Sequence, residues 1–501
     1  MTRIIRLNLI IVALTTIACA EDRPNVLFIA VDDMNDWTSL IKGYPGKVHT
    51  PNLERLGRLG MTFDNAHSAS PVCCPSRTAM MLGQRPSTTG IYNNGQWWRP
   101  HLPDALSMPM VFRRHGYRAI GAGKIFHHTA GFNPPDQWDD FQRLSFEDDP
   151  WFRGNKLNYP WSKPAKYPQG YPFSGLPGTP HEGDWGIIPG LDEDEYDDSR
   201  TVDYVVNSLR AKHDKPFFLA CGIFRPHLPW YAPGKYFDMY PLEEIVLPDV
   251  PKDDLNDIPP EGRKLSASRR ADFLRIKEHG KWKEALRAYL ACISFADAQL
   301  GRILDALEVG PHRKNTIIVF WSDHGWHLGE KNHWHKSTLW EEATRIPFMI
   351  SVPGMTRGAT RCERPVDTLC VYPTLLELCG IEPKEDLDGV SIVPLLKDPG
   401  IKWDTPAVTE FQRGQCSVRS GRYRYIRYSD GTAELYDHSS DPNEWTNLSG
   451  AKYHATIKEL ARSIPEEFAP DAPSKRAYDF DPKTYTWTHR KTGRKTHGAK
   501  K

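Results

Sequence analysis

Three stretches of the chain are apolar at nearly every position and break off at polar groups. RPNVLFIAVDD (23–33) ends on Asp32 and Asp33, KPFFLACGIFRPH (215–227) ends on His227, and KNTIIVFWSDHG (314–325) ends on Asp323 and His324. Runs without alternation suit strands covered on both faces. Between them the apolar period changes to that of helices. TPNLERLGRLG (50–60) stops at Gly60, and DSRTVDYVVNSLRAK (198–212) puts Val202, Val205, Val206 and Leu209 on one face. ALRAYLACISFADAQLGRILDALE (285–308) is a long amphipathic helix, and CVYPTLLELCG (370–380) is a shorter one with Gly380 as its C-cap. Alternating strands and helices predict an α/β fold with a mostly parallel sheet flanked by helices on both sides. In such sheets ligands bind beyond the carboxyl ends of the strands. One polar pair after a strand reads as the start of a surface loop. Two like pairs, Asp32-Asp33 and Asp323-His324, after two core strands predict one shared site.

The pattern changes in three places. Residues 130–197 are rich in Pro, Gly, Trp and Tyr with little periodicity, which predicts a loop-rich insertion at the mouth of a site. After Pro394-Leu395-Leu396, CSVRSGRYRYIRYSDGTAELYDHSSD alternates in strand fashion around a Gly-containing turn. A catalytic domain over 23–397 and a small antiparallel C-terminal subdomain over 398–470 follow. The extension 471–501 closes with a last dozen residues that carry six Lys or Arg and are expected to be a flexible tail. At the other end, Arg3 and Arg6, the run LNLIIVALTTIA and the small residues ACA (18–20) read as an export signal over 1–20. The mature protein is then expected in the periplasm or outside the cell. A lipid anchor at Cys19 is disfavoured by Thr16, and no later run has the roughly 18 apolar residues of a membrane span.

Net charge is +1, which calls for neither a nucleic-acid nor a membrane partner. The 42 Pro, 16 Trp and 20 Tyr suit aromatic-lined loops, a common setting for carbohydrate. Eight cysteines follow Cys19 without zinc-site spacing, and read as small core residues or one or two disulfides. Cys73 and Cys74 stand apart, because adjacent cysteines would close a badly strained ring.

CCPSRTAMMLG (73–83) resembles the Cys-x-Pro-Ser-Arg signature of type I sulfatases, with Cys73 at the first position and Cys74 as the variable one. The resemblance runs from about residue 23 to 450 and is closest to the iduronate-2-sulfatase branch. RPNVLFIAVDDMND looks like the family's first strand and metal pair, and GYRAIGAGKIFHH (116–128) like its Gly-Lys motif. PFFLACGIFRPHLPW (216–230) and SDHGWHLGEKNHWHKSTLWEEATRIPF (322–348) match two further segments, and ELYDHSSDPNEWTNLSG (434–450) the C-terminal signature. The resemblance implies an alkaline-phosphatase-like sandwich and Cα-formylglycine made from Cys73 by a formylglycine-generating enzyme. It implies hydrolysis of a sulfate ester, most naturally on a sulfated carbohydrate.

The residue roles follow from that resemblance and from charge. Asp32, Asp33, Asp323 and His324, with an oxygen on residue 73, would hold one divalent metal. Hard carboxylate ligands favour Ca²⁺, with Mg²⁺ as the alternative. Lys124 and Lys336 would clamp sulfate oxygens, and Arg77 would orient the formylglycine. His227 is assigned the acid and His127 the base, two roles that spacing alone leaves exchangeable. His128, His327, His333 and His335 are read as surface or rim residues. Trp97, Trp98 and Arg99 are expected either to line the substrate entrance or to pack. Two rival readings remain: a phosphate- or phosphonate-ester hydrolase of the same superfamily, and a secreted glycan-binding protein with an unmodified Cys73.

Overall fold

The computed structural model describes residues 23–143, 170–178 and 183–499. The expected export signal, with Cys19, and much of the 130–197 insertion lie outside the described residues. Eight strands form the central sheet: β1 (Asn25–Val31), β2 (Met61–Phe63), β3 (Arg118–Gly123), β4 (Asp140–Gln142), β5 (Phe217–Ile223), β6 (Thr316–Ser322), β7 (Phe348–Ser351) and β8 (Thr360–Cys362). Their order is β8-β2-β7-β6-β1-β5-β3-β4. The run from β6 to β4 is parallel throughout, and β7 pairs antiparallel with both β6 and β2. The three apolar runs are therefore neighbours in the middle of the sheet, in the order β6-β1-β5.

Both faces of that sheet are dry, which is why the runs do not alternate. Leu27, Ile29 and Val31 of β1 enter one core with helices α1 (Pro51–Leu59), α3 (Asp197–Arg210) and α4 (Trp282–Val309). Val26, Phe28 and Ala30 enter the opposite core with α2 (Cys73–Leu82) and α5 (Val371–Leu378). Each large apolar side chain so buried contributes about 1.5–3 kcal/mol. Parallel strands put the carboxyl ends of β1, β3, β5 and β6 along one edge, and the site forms there. Among the described residues no helix is long and apolar enough to cross a membrane.

Beyond the main sheet, β9 (Ala407–Glu410), β10 (Cys416–Arg419), β11 (Tyr423–Arg427) and β12 (Ala433–Asp437) form the small antiparallel sheet, with Gly431 at φ +86° in the β11–β12 turn. The basic end of the chain is not a free tail as far as residue 499. It forms a second antiparallel sheet of β13 (Tyr478–Asp481), β14 (Thr486–His489) and β15 (Lys495–His497). Trp487 is fully buried there, edge-on to Tyr485 and Trp97 and tilted against Phe480, and Arg494 donates to the Pro100 carbonyl at 2.8 Å. The alternating Tyr478, Phe480, Tyr485 and Trp487 supply the apolar face; counting charge alone conceals it. The eight described cysteines are all free and buried, so the reading as small core residues applies and the disulfide reading does not.

Candidate active site

The edge where the strands end gathers three carboxylates from two of them. Asp32 and Asp33 follow β1 directly, and Asp33 takes a left-handed turn at φ +59° that few non-glycine residues adopt. Asp323 and His324 follow β6, one strand away. The two tips are tied together: the Asp33 amide donates to Asp323 Oδ1 at 3.0 Å, and the Asp323 amide to the Val31 carbonyl at 3.2 Å. Asp32, Asp33, Asp323 and His324 have no exposed surface.

Cys73 is the first residue of α2, a helix whose ten residues are all buried. Its Sγ lies 3.3 Å from His324 Nε2, 3.8 Å from Asp33 Oδ1 and 2.9 Å from Lys336 Nζ. Cys74 faces away: its Sγ donates to the Gln96 carbonyl at 3.5 Å, and its amide to Asn94 Oδ1 at 2.9 Å. One turn further along α2, Arg77 spans both strand tips. Its Nε donates to Asp323 Oδ2 at 2.8 Å and its Nη2 to Asp32 Oδ1 at 3.0 Å, while Nη1 reaches the Lys124 carbonyl.

Lys124 follows β3 and donates to Asp32 Oδ2. Its backbone approach depends on Gly222 of β5: a Cβ there would stand 2.3 Å from the Lys124 carbonyl carbon. Lys336 donates to Asp33 Oδ1 at 2.6 Å. Three carboxylates thus meet three cations in a site where only Lys336 keeps some exposure. Burial, with Asp323 beside it, pushes the Asp32 carboxyl up to about 7. Burial likewise pushes Asp33 up to about 6, with Lys336 pulling the other way. Burial opposes ionisation of Asp323 as well, but there the Arg77 guanidinium prevails and holds the group well below the ordinary carboxylate range.

The histidines are neutral in this setting. His227 donates from Nδ1 to the Leu228 carbonyl at 2.7 Å, since a carbonyl can only accept. Its Nε2 therefore faces the site, 3.9 Å from Asp32 Oδ2 and 3.7 Å from Asp33 Oδ2. His324 is held the same way, Nδ1 on the Gly325 carbonyl at 3.0 Å and Nε2 turned 3.2 Å from Asp33 Oδ1. Burial, with Lys124 next, depresses both His127 and His227 well below the ordinary imidazole value. His127 Nδ1 is buried without a hydrogen bond among the described residues.

The donor set fits a divalent cation. Ligand atoms of Asp33, Cys73, Asp323 and His324 all lie within 4.8 Å of one another. Asp33 Oδ2 is buried and accepts no hydrogen bond among the described residues, a state that costs about 1–3 kcal/mol unless another group fills it. His324 presents an unprotonated Nε2 fixed from behind by a carbonyl, as metal-ligating imidazoles are.

Above these groups opens a cavity of about 380 Å³. His127, His128, His227 and Lys336 line it, together with Asn94 and Thr129, which the sequence reading did not single out. Asn94 carries a signal in retrospect, an amide in the turn after the motif helix. His335 also lines the cavity, so the rim reading fits it and His128, while His327 and His333 are fully buried and are neither surface nor rim residues. Trp97, Trp98 and Arg99 do not line it. Trp97 and Trp98 are buried, with indole N–H groups on the Ala130 and Phe132 carbonyls at 3.1 and 2.9 Å. Arg99 stacks on Trp98 and pairs with Asp136, so the trio packs. From the 130–197 insertion, Leu176, Gly183 and Trp185 reach the cavity wall.

A doubly covered sheet with a charged metal-type cluster on its carboxyl edge defines an alkaline-phosphatase-like hydrolase fold. The chain belongs to the sulfatase family: the family model described as Sulfatase matches residues 24–381, and that of the N-sulphoglucosamine sulphohydrolase C-terminal region matches 329–468. It is therefore a sulfuric ester hydrolase. A sulfatase of Formosa agariphila is 40% identical over 488 residues, covering 92% of this chain and 90% of the relative. Human iduronate 2-sulfatase is 30% identical over 400 residues, covering 75% and 68%. Among solved structures, the phosphonate monoester hydrolase of Agrobacterium radiobacter superposes with a TM-score of 0.71 at 21% identity, covering 92% and 99%. At that identity the likeness is one of fold.

Proposed function

We propose that the protein is an exported sulfatase that removes sulfate from a sulfated glycan, with Cys73 converted to Cα-formylglycine by a formylglycine-generating enzyme. One observation carries the reading. The side chain at the first position of the Cys-Cys-Pro-Ser-Arg motif faces His324, Asp33 and Lys336, whereas the neighbouring Cys74 does not. The likeness to an iduronate 2-sulfatase supports the glycan assignment, and the aromatic wall of Trp185, Trp326 and Trp334 suits a sugar ring. The signal-like N-terminus supports export.

A hydrated aldehyde at position 73 supplies two hydroxyls on one carbon, one to attack sulfur and one whose deprotonation expels sulfate. A cation held by Asp32, Asp33, Asp323 and His324, Ca²⁺ or Mg²⁺, supplies a positive centre for the sulfuryl oxygens. Lys124 and Lys336 add N–H donors toward the same oxygens, where negative charge persists throughout the transfer. Arg77 fixes the helix bearing residue 73 against both strand tips. His227, its Nδ1–H engaged by a carbonyl, presents an unprotonated Nε2 that takes the proton residue 73 loses on attack and passes it to the leaving alcohol. His127, neutral and without a partner on Nδ1, takes the proton from the second hydroxyl.

Rates on 4-nitrophenyl sulfate and 4-nitrophenyl phosphate test the reading. Sulfate should be the faster ester, and Cys73→Ala should abolish its turnover. Preference for phosphate would establish the rival phosphoester reading, and no turnover of either would favour a glycan-binding protein.

A further inference from the structure

The C-terminal extension, which the sequence presents as a basic tail, delivers a cation to the active-site cavity. Lys475 opens the short turn Lys475–Ala477, and its amide donates to the Gly95 carbonyl at 2.6 Å. The segment before it is pinned to the loop that follows the motif helix: Gln96 Nε2 donates to the Ala472 carbonyl at 2.7 Å, and the Ala472 amide to the Gly90 carbonyl at 2.8 Å. The sheet β13–β15, anchored by Trp487 on Trp97, holds it from the other side. The Lys475 backbone is therefore fixed relative to residue 73, and its side chain lines the same cavity as His127, His227 and Lys336.

What distinguishes Lys475 is its want of a counter-charge among the described residues. Lys124 has Asp32, Lys336 has Asp33, and Arg269 and Arg275 share Asp272. Among the described residues the Lys475 amine makes no hydrogen bond and no ion pair. Yet it is half-buried, a position where an ammonium loses hydration with nothing in return. A lysine without a task in the cavity would extend its long stem to water. Among the described residues the cavity lining is positive: Arg269, Arg275, Lys336 and Lys475 line it against the carboxylate of Asp272. A low-dielectric cleft of one sign draws ligands of the other. The scissile sulfate already has Lys124 and Lys336 below; an additional unpaired cation beside His127 implies an additional anion.

Resting on the sulfatase reading above, we propose that Lys475 binds a second oxyanion of the substrate, so that the enzyme selects sugars carrying a carboxylate or a further sulfate next to the ester it cleaves. The test compares sulfate release in two arms, a sulfated hexuronide against its carboxyl-reduced hexose, and a disulfated against a monosulfated hexosamine. In at least one arm the wild type should prefer the doubly anionic sugar by about tenfold or more in kcat/KM, the scale of one charge-assisted hydrogen bond. Lys475→Met should bring that ratio to about one, chiefly through KM, and Lys475→Arg should keep most of it. A wild-type ratio near one in both arms, or a Lys475→Met enzyme that keeps the wild-type ratio, overturns the assignment. A wild type that releases sulfate from none of these sugars nor from 4-nitrophenyl sulfate contradicts the sulfatase reading instead.

Discussion

Arg77 shows what a single side chain does in this site. It is fully buried and satisfies Asp32 and Asp323 at once, so its loss would strand two carboxylates in a dry interior. Arg77→Ala should cost about 3–5 kcal/mol in urea unfolding as well as activity; a loss of activity with unchanged stability would contradict the bridging role. Cys73→Ala behaves differently, because it removes a small group and leaves every ion pair in place. It should cost only about 1 kcal/mol while turnover disappears, and Cys74→Ala should leave most of the turnover. His327 illustrates a structural histidine. Burial, with His333 and Lys331 beside it, holds it well below the ordinary imidazole value, and Nε2 meets Thr338 Oγ1 at 2.6 Å. As pH falls below the unfolded value near 6.5, the unfolded chain takes up a proton that the folded chain refuses, so wild-type stability drops. His327→Gln escapes that term. Its disadvantage at pH 7.5 should shrink by about 1.4 kcal/mol for each pH unit below 6.5; a constant gap between the two proteins would exclude the burial argument.

At the scale of elements, the site depends on where strands stop. β1 and β6 are neighbours, so their polar tips meet although 290 residues separate Asp33 from Asp323. That meeting was legible in the sequence, because unbroken apolar runs announce buried parallel strands and such strands share a carboxyl edge. The helices at 50–60, 198–212, 285–308 and 370–380 were legible by their period for the same reason. The last thirty residues were not, because lysine and arginine there mask a two-residue alternation of aromatics. Trp97 and Trp98 were left open between entrance and packing by the same limit: local pattern does not say that a distant strand brings Trp487 to cover Trp97. Trp487→Ala should therefore destabilise the protein by about 3–5 kcal/mol, read by denaturant unfolding. A change below 0.5 kcal/mol would mean that β13–β15 is a loose appendage.

Across the whole molecule, two apolar cores on opposite faces of one sheet support a cluster of six opposed charges that no single element could stabilise alone. The residues that gather at the strand tips were legible because they lie at strand ends and in one short motif. The cavity lining was not, because Asn94, Trp185, Arg269 and Lys475 come from loops and an extension whose convergence is a property of the completed fold. Carboxylates gathered in a buried site should bind a dication with a gain in stability. Calcium at a hundredfold excess over its Kd should add about 2.7 kcal/mol, and a chelator should remove both that increment and the activity; indifference of the melting temperature to both would argue against a metal centre. The most direct measurement is the mass of the peptide carrying residue 73, taken from enzyme that is turning over. An aldehyde in place of the thiol makes it about 18 Da lighter than the encoded sequence. The account predicts that lighter peptide, and a fully active preparation with the intact thiol mass at Cys73 would contradict it.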